Sequence, residues 1–253
     1  MKIRVLWLLS LVLLVACQPP LLRDDGDPAM KQVSRGPSPA DTWVQLAVEY
    51  YRLGDYPVAL KKAGKAIEKD PANANAHLIL GLVYEALGEG EQARRAYGRA
   101  KELAPEDPYV LNAWGQLQCK DKNYDAALAA FEKALENPLY DAPWVALSNA
   151  GLCALAAGRR ETARDYLLRA LQKNPRFPPA LAAMADLSYQ QGRYLSTRAY
   201  VQRYREVATP TPRLLYLSVL AERQLGNARQ AERDARLLQA EFPDSIEAHQ
   251  LAQ

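Results

Sequence analysis

Apolar and small residues recur with a fixed period from Ala40 towards the C-terminus. Each period reads as a helix with a Leu-Gly-like or Trp-Gly-like pair, a glycine turn, a second helix of small residues and a closing proline. The turn glycines lie 34 residues apart between Gly54 and Gly88, and twice more from Gly158 to Gly226. One helical pair cannot bury its apolar face alone, so repeated pairs stack side by side. The pattern predicts a solenoid of helical hairpins.

Each residue type in the period has a physical reason. Glycine tolerates the left-handed conformation that ends the first helix, and only the third unit has Lys122-Asn123 at that place. Small residues let the paired helices approach, and proline follows the second helix because it cannot continue it. These features are typical of tetratricopeptide repeats and predict an all-α, right-handed superhelix of six. The small residues are Ala59, Ala93, Ala127, Ala163, Thr197 and Ala231, and the prolines are Pro71, Pro105, Pro138, Pro175, Pro210 and Pro243.

The repeat boundaries follow from this spacing. We expect one domain over residues 40–253, with a capping helix at 244–253 whose N-cap is Asp244. The third repeat is two residues longer than its neighbours, and the segment 138–143 predicts an irregular connection and a kink in the superhelix. The six repeats are expected at 40–73, 74–107, 108–143, 144–177, 178–211 and 212–243.

Residues 1–16 have the pattern of a signal peptide. Lys2 and Arg4 precede an apolar stretch, residues 5–15, that is too short to span a bilayer. The string LVAC at residues 14–17 resembles the lipobox of bacterial lipoproteins, which implies that Cys17 becomes an acylated N-terminus. Such lipoproteins tend to carry Asp after the cysteine when they stay in the inner membrane. Gln18 therefore favours the periplasmic face of the outer membrane. The alternatives are a plain signal peptide and an apolar helix with an incidental cysteine.

Residues 17–39 are expected to hold the lipidated cysteine and a flexible tether. The segment is rich in proline, glycine and aspartate and has too few apolar residues to order itself. As a coil, the residues after Cys17 would span about 25 Å. The repeats could then reach a partner near the membrane.

The net charge and the absence of catalytic motifs narrow the range of possible functions. Without Lys2 and Arg4, the mature chain has 30 lysine and arginine residues and 29 acidic residues, a net charge of +1. It therefore lacks the basic surface expected of a nucleic-acid binder. His77 and His249 form no metalloprotease pair, and no phosphate-binding loop or nucleophile elbow appears. His77, at the tryptophan place of its repeat, is expected to be a partly buried packing residue. We expect a binding scaffold, not an enzyme, with no cofactor, metal, nucleic acid or small-molecule substrate.

Two further cysteines, Cys119 and Cys153, fall in the first helices of the third and fourth repeats. Those repeats are adjacent, and an exported protein meets an oxidising compartment in which a disulfide persists. The pattern predicts a Cys119–Cys153 bridge. The alternative is two separate buried thiols that behave as small hydrophobic groups.

Several strings behind the lipobox resemble one family. They are DPYVLNAWG at residues 107–115, SNAGLCAL at 148–155, PPAL at 178–181, GRYL at 192–195 and FPDS at 242–245. They are similar to the type IV pilus biogenesis and stability lipoproteins of the PilF/PilW family, over almost all of residues 40–253. The resemblance implies a pilotin, which binds subunits of the outer-membrane pilus secretin and assists their localisation and multimerisation.

The concave surface of such a solenoid, lined by first helices, offers a groove for a partner segment. Each groove candidate taken from the helical phase could instead pack between helices. A competing interpretation is a lipoprotein adaptor that recruits periplasmic proteases or cell-wall enzymes. The groove candidates are Tyr51, Leu82, Tyr109, Asn112, Gln116, Leu152, Asp186 and Tyr189.

Overall fold

Helices account for nearly all of residues 38–251, the part of the chain described by a computed structural model. The predicted all-α solenoid of helical hairpins is confirmed. The predicted signal peptide, Cys17 and most of the tether lie outside the described residues. The helices are α1 Pro39–Arg52, α2 Tyr56–Lys69, α3 Ala74–Ala86, α4 Gly90–Leu103, α5 Pro108–Lys120, α6 Tyr124–Leu135, α7 Pro143–Ala156, α8 Arg160–Lys173, α9 Pro178–Gln190, α10 Tyr194–Arg205, α11 Pro212–Gln224, α12 Ala228–Glu241 and α13 Ile246–Leu251.

Contacts between the helices show which side of the stack is concave. Each odd-numbered helix from α1 to α11 packs against the even-numbered helix that follows it, and it also contacts the next odd-numbered helix. Within residues 38–251, no even-numbered helix contacts the next even-numbered one. Elements lie closer together on the inner side of a curved stack. The first helices α1, α3, α5, α7, α9 and α11 therefore form the inner wall.

The turns between paired helices adopt the conformation that the sequence predicts. The five turn glycines have φ between 70° and 79°. Lys122 takes the same place in the third repeat with φ 63°. A side chain in this region costs roughly 1–2 kcal/mol, so the third turn keeps its geometry at the expense of some local strain.

The helices of a pair approach closely where a glycine faces a large side chain. A Cβ atom added at Gly115 of α5 would lie 2.7 Å from the ring of Phe131 on α6. Phe131 is fully buried. Leucines at one place in the third to sixth repeats complete the core between repeats, each at most 3% exposed: Leu111, Leu147, Leu181 and Leu215.

The C-terminal helix α13 caps the last repeat, but it begins later than predicted. Ser245 is its N-cap, because Ser245 Oγ accepts a hydrogen bond from the Ala248 amide at 3.1 Å. The prediction that Asp244 caps this helix is wrong by one residue. Aspartate and serine are both good N-caps, so adjacent candidates cannot be separated by type alone. Ala248 of α13 packs with Leu215 and Leu238 and closes this end of the core.

The connection after α6 is longer than the other connections between repeats. Tyr140 in this segment is buried, and its ring meets the ring of Tyr109 edge-on at 5.1 Å. The predicted kink at this place stays a prediction. Among the described helices, none has the length and apolarity needed to cross a membrane.

Candidate partner-binding groove

One residue per repeat forms a row along the inner wall. Each member follows directly after the place that Gly81, Gly115 and Gly151 hold in their first helices. All six side chains are half-buried or exposed, so they reach the inner surface and do not end in the core. We call this set the inner row: Val48, Leu82, Gln116, Leu152, Asp186 and Leu220.

The centre of the inner row borders a depression of about 320 Å³ between α5 and α7. Gln116 and Leu152 line it, and the side chain of Leu152 is 43% exposed although it is apolar. Asn149 and Lys120 supply polar groups at its edge. A mostly apolar concavity with a few polar groups is the usual character of a binding site.

The floor of the depression contains a disulfide. Cys119 Sγ and Cys153 Sγ are bonded, and the two Cα atoms lie 5.7 Å apart. Cys119 belongs to α5 and Cys153 to α7, so the bond joins two first helices directly. It holds the walls of the depression at a fixed separation.

Removing this bridge should destabilise the domain. Closing a loop of this length contributes roughly 3–4 kcal/mol in the chain-entropy model, and the cysteines are 34 residues apart. The Cys119→Ser/Cys153→Ser variant should therefore unfold at lower urea than the oxidised parent. The reductant dithiothreitol should lower the midpoint of the parent and leave that of the double variant unchanged. Free labelling of both thiols in exported protein that has never met reductant would contradict the bridge.

Two groove candidates lie on the N-terminal half of α5, where they also hold neighbouring segments. Tyr109 is 44% exposed, and its hydroxyl donates a hydrogen bond to Asp141. That bond raises the pKa of Tyr109 to about 12, so the hydroxyl stays protonated at neutral pH. Asn112 accepts a hydrogen bond from Asn149 Nδ2 at 3.0 Å, which links α5 to α7.

The first two repeats place Tyr51 and Leu82 among packing residues. Tyr51 is half-buried against Tyr56, with ring centroids 5.7 Å apart, and burial raises its pKa. Leu82 packs against two core clusters while remaining partly exposed. Both residues therefore take part in packing, which is the alternative that the sequence left open for each groove candidate, and their contact with a partner stays a prediction.

Glu85 is a polar residue of the inner wall that the sequence reasoning missed. It accepts a hydrogen bond from the Tyr97 hydroxyl at 2.7 Å, and it forms an ion pair with Lys120 of the next first helix. Burial, followed by this bond, raises the pKa of Tyr97. The available signal was its repeat place, because Glu85 stands 34 residues after Tyr51 and 34 before Cys119.

The last two groove candidates, Asp186 and Tyr189, lie on α9. Asp186 of α9 accepts hydrogen bonds from Arg213 of α11, at 3.0 Å from Nε and 2.5 Å from Nη2. Tyr189 stands beside Tyr194, with ring centroids 5.7 Å apart, and burial raises its pKa. The structure brings Gln116 and Leu152 together in one depression and spreads the other candidates along the groove.

The described residues also account for His77. It is partly buried, as expected, and its Nε2 lies 3.0 Å from the Pro71 carbonyl oxygen. Across residues 38–251, no three His, Cys, Asp or Glu side chains gather in an arrangement suited to a metal ion. The groove consists of apolar, amide and paired charged groups, which is chemistry suited to holding a polypeptide.

Comparisons with known proteins agree with this geometry. Residues 44–108 and 112–180 match the tetratricopeptide repeat family. The type IV pilus assembly protein PilF of Pseudomonas aeruginosa is 26% identical over 207 residues, covering 82% of each chain.

Two solved structures are also similar to the chain. PilW, described as a widely conserved type IV pilus biogenesis factor, has a TM-score of 0.76 and 30% identity, covering 85% of this chain and 98% of its own. The Pseudomonas aeruginosa PilF structure has a TM-score of 0.77 and 26% identity, covering 84% and 96%.

Proposed function

The chain belongs to the PilF/PilW family of tetratricopeptide-repeat proteins, and on that premise we propose that it acts in type IV pilus biogenesis as a secretin pilotin. In this role it binds subunits of the outer-membrane pilus secretin and assists their localisation and multimerisation. It works as a binding scaffold and catalyses no reaction. Its similarity to proteins named for pilus assembly and pilus biogenesis supports a role in that process.

The observation that carries the binding role is the depression at the centre of the inner row. Leu152 exposes 43% of its surface there, beside the polar groups of Gln116 and Asn149. Burying a leucine side chain in a complex gains roughly 1.5–3 kcal/mol, while nearby amides fix the register of a bound backbone. A secretin segment with one apolar side chain fits this arrangement.

The proposed location follows from the N-terminal sequence. Acyl chains on Cys17 would hold the chain at the periplasmic face of the outer membrane, and Gln18 favours that membrane over the inner one. Each buried methylene contributes about 0.8 kcal/mol, so several acyl chains anchor firmly where a single one is marginal. The solenoid is thereby delivered to the membrane in which the secretin assembles.

Deleting the protein tests the pilotin role. We expect the secretin polypeptide to be made at normal levels while its heat-resistant multimers fall sharply, and surface pili and twitching to be lost. Immunoblots of heated and unheated outer membranes measure the multimers, and expression of the intact chain in trans should restore them. Normal multimers in the deletion strain would refute the pilotin role and favour an adaptor for other periplasmic proteins.

A further inference from the structure

The first repeat has an apolar side that no neighbouring repeat covers within residues 38–251. Trp43, Leu46 and Tyr50 stand three and four residues apart on α1, so they share one face of the helix. Leu46 is 36% exposed, and Trp43 and Tyr50 are partly exposed. In the third to sixth repeats the place of Trp43 holds the buried leucines of the core, and in the second repeat it holds the half-buried His77. We call the three α1 residues with Lys62 and Lys65 of α2 the end face.

Lysines frame the aromatic rings of the end face. Lys62 Nζ lies 5.1 Å from the centroid of Trp43 and 5.7 Å from that of Tyr50, and Lys65 Nζ lies 4.8 Å from Trp43. No ion pair in the described part of the chain involves either lysine. Helix α2 also carries Lys61 and Lys69, against the single carboxylate of Glu68. The end face is therefore both apolar and cationic.

Such an end is unusual for a solenoid, whose terminal repeats normally present a polar outer side. At the other end of this chain, α13 supplies the cover by packing on the last repeat. Tryptophan, tyrosine and lysine together are the residues of a membrane–water interface. There the rings lie at headgroup level, and lysine stems extend so that the ammonium groups meet lipid phosphates.

The position of the end face in the chain points to the same surface. Pro39 begins α1, and Trp43 follows four residues later. Cys17 stands 22 residues before Pro39, so an anchor at Cys17 would hold this end of the solenoid nearest the bilayer. We propose that the end face docks on the interface of an anionic lipid bilayer. The orientation of the solenoid in this proposal rests on the proposed anchor at Cys17. The charge-dependent affinity of the end face for the bilayer depends only on the described residues.

Docking in this manner would orient the groove. The inner wall begins at α1 and runs away from the end face towards α11. With Trp43 at the lipid headgroups, the depression at Leu152 would stand off the bilayer by the thickness of the repeats before it. A secretin subunit could then be held beside the membrane it enters.

Vesicle binding by the whole mature chain, residues 17–253 with Cys17→Ser and no acyl group, tests the proposal. Vesicles of equal parts phosphatidylglycerol and phosphatidylcholine should bind it, with release at high salt, while pure phosphatidylcholine should not. Lys62→Gln/Lys65→Gln should weaken binding about 30-fold, since each lysine near an anionic surface contributes about a fivefold gain. The matched control is Lys101→Gln/Lys173→Gln, because Lys101 also lies over a ring, that of Trp114, at 4.4 Å. This control should bind like the parent.

Brominated phosphatidylcholine, used in place of the phosphatidylcholine of the anionic vesicles, locates the contact. Tryptophan emission should be quenched in the parent, and the loss of quenching in Trp43→Phe should identify the residue. Equal binding by the two lysine variants, no binding to anionic vesicles, or quenching that persists in Trp43→Phe would overturn the proposal. So would vesicle binding that requires a second protein.

The two proposals fail separately in these assays. Lys62→Gln/Lys65→Gln, which tests the end face, changes no residue of the inner row. Leu152→Glu, a substitution that tests the groove, changes no residue of the end face. If the lysine variant loses vesicle binding but keeps normal secretin multimers, docking contributes little to orienting the groove. The pilotin role is then unaffected. The vesicle assay contains no secretin, so its outcome does not depend on the pilotin role.

Discussion

Replacing Leu152 with glutamate should reduce heat-resistant secretin multimers to the level of the deletion strain. Leu152 is the exposed apolar side chain of the central depression. A bound segment would have to bury the new carboxylate without a partner, in addition to losing the leucine contact. Burying an unpaired carboxylate costs several kcal/mol, so the affinity should fall by at least about 30-fold. The measurement is an immunoblot of outer membranes from a strain that carries only the variant.

A matched substitution separates binding from folding. Leu195 is the second residue of the outer helix α10 and is 66% exposed, so Leu195→Glu makes the same chemical change away from the inner wall. Both variants should retain the helix content and unfolding midpoint of the parent, because neither leucine is buried. Normal multimers with a folded Leu152→Glu chain would move the secretin contact away from this depression.

The contacts explain why Leu152 is a cleaner test than the aromatic and amide candidates on α5. Tyr109 donates to Asp141 and packs against Tyr140, so its removal would also loosen the connection before α7. Asn112 accepts from Asn149, so a change there would disturb the bond between two repeats. An effect of either substitution could arise from stability alone.

The sequence predicted those features that depend on a local rule repeated along the chain. Glycine at a helix end predicts positive φ, and the five turn glycines adopt it. The same register gave the groove candidates, whose role in binding a partner stays a prediction. Lys122 adopts the turn conformation without glycine, because the packing of the helix pair on either side determines the turn.

Features that depend on pairing across repeats could not be predicted in this way. Asp186 and Arg213 are 27 residues apart, and nothing in either helix alone indicates that they meet. The same holds for Tyr97 and Glu85, which join two helices of one repeat through side-chain length and direction. The end face was missed for another reason. The repeat pattern predicts burial at Trp43, but no repeat precedes it within residues 38–251, and its ring is partly exposed.

Replacing Cys17 with serine should abolish outer-membrane enrichment of the chain. The serine hydroxyl cannot take the thioether-linked lipid of a lipobox cysteine, so the variant should be soluble or held by an uncleaved signal peptide. Since the acyl chains would supply most of the membrane affinity, we expect a near-complete loss from the outer-membrane fraction, with no acyl mass by mass spectrometry. Secretin multimers should fall with it, although the groove is unchanged.

A second variant of this segment tests the destination separately from the anchor. Gln18→Asp keeps the acylated cysteine and introduces the residue that favours retention in the inner membrane. The chain should stay acylated and move to the inner-membrane fraction on a sucrose gradient, and secretin multimers in the outer membrane should be reduced.

Cys119→Ser serves as the matched cysteine control for Cys17→Ser, because it breaks the bridge in the groove and leaves the lipobox intact, so it should remain in the outer membrane. Outer-membrane enrichment of the Cys17→Ser chain equal to that of the parent would show that residues 14–17 are not a lipobox.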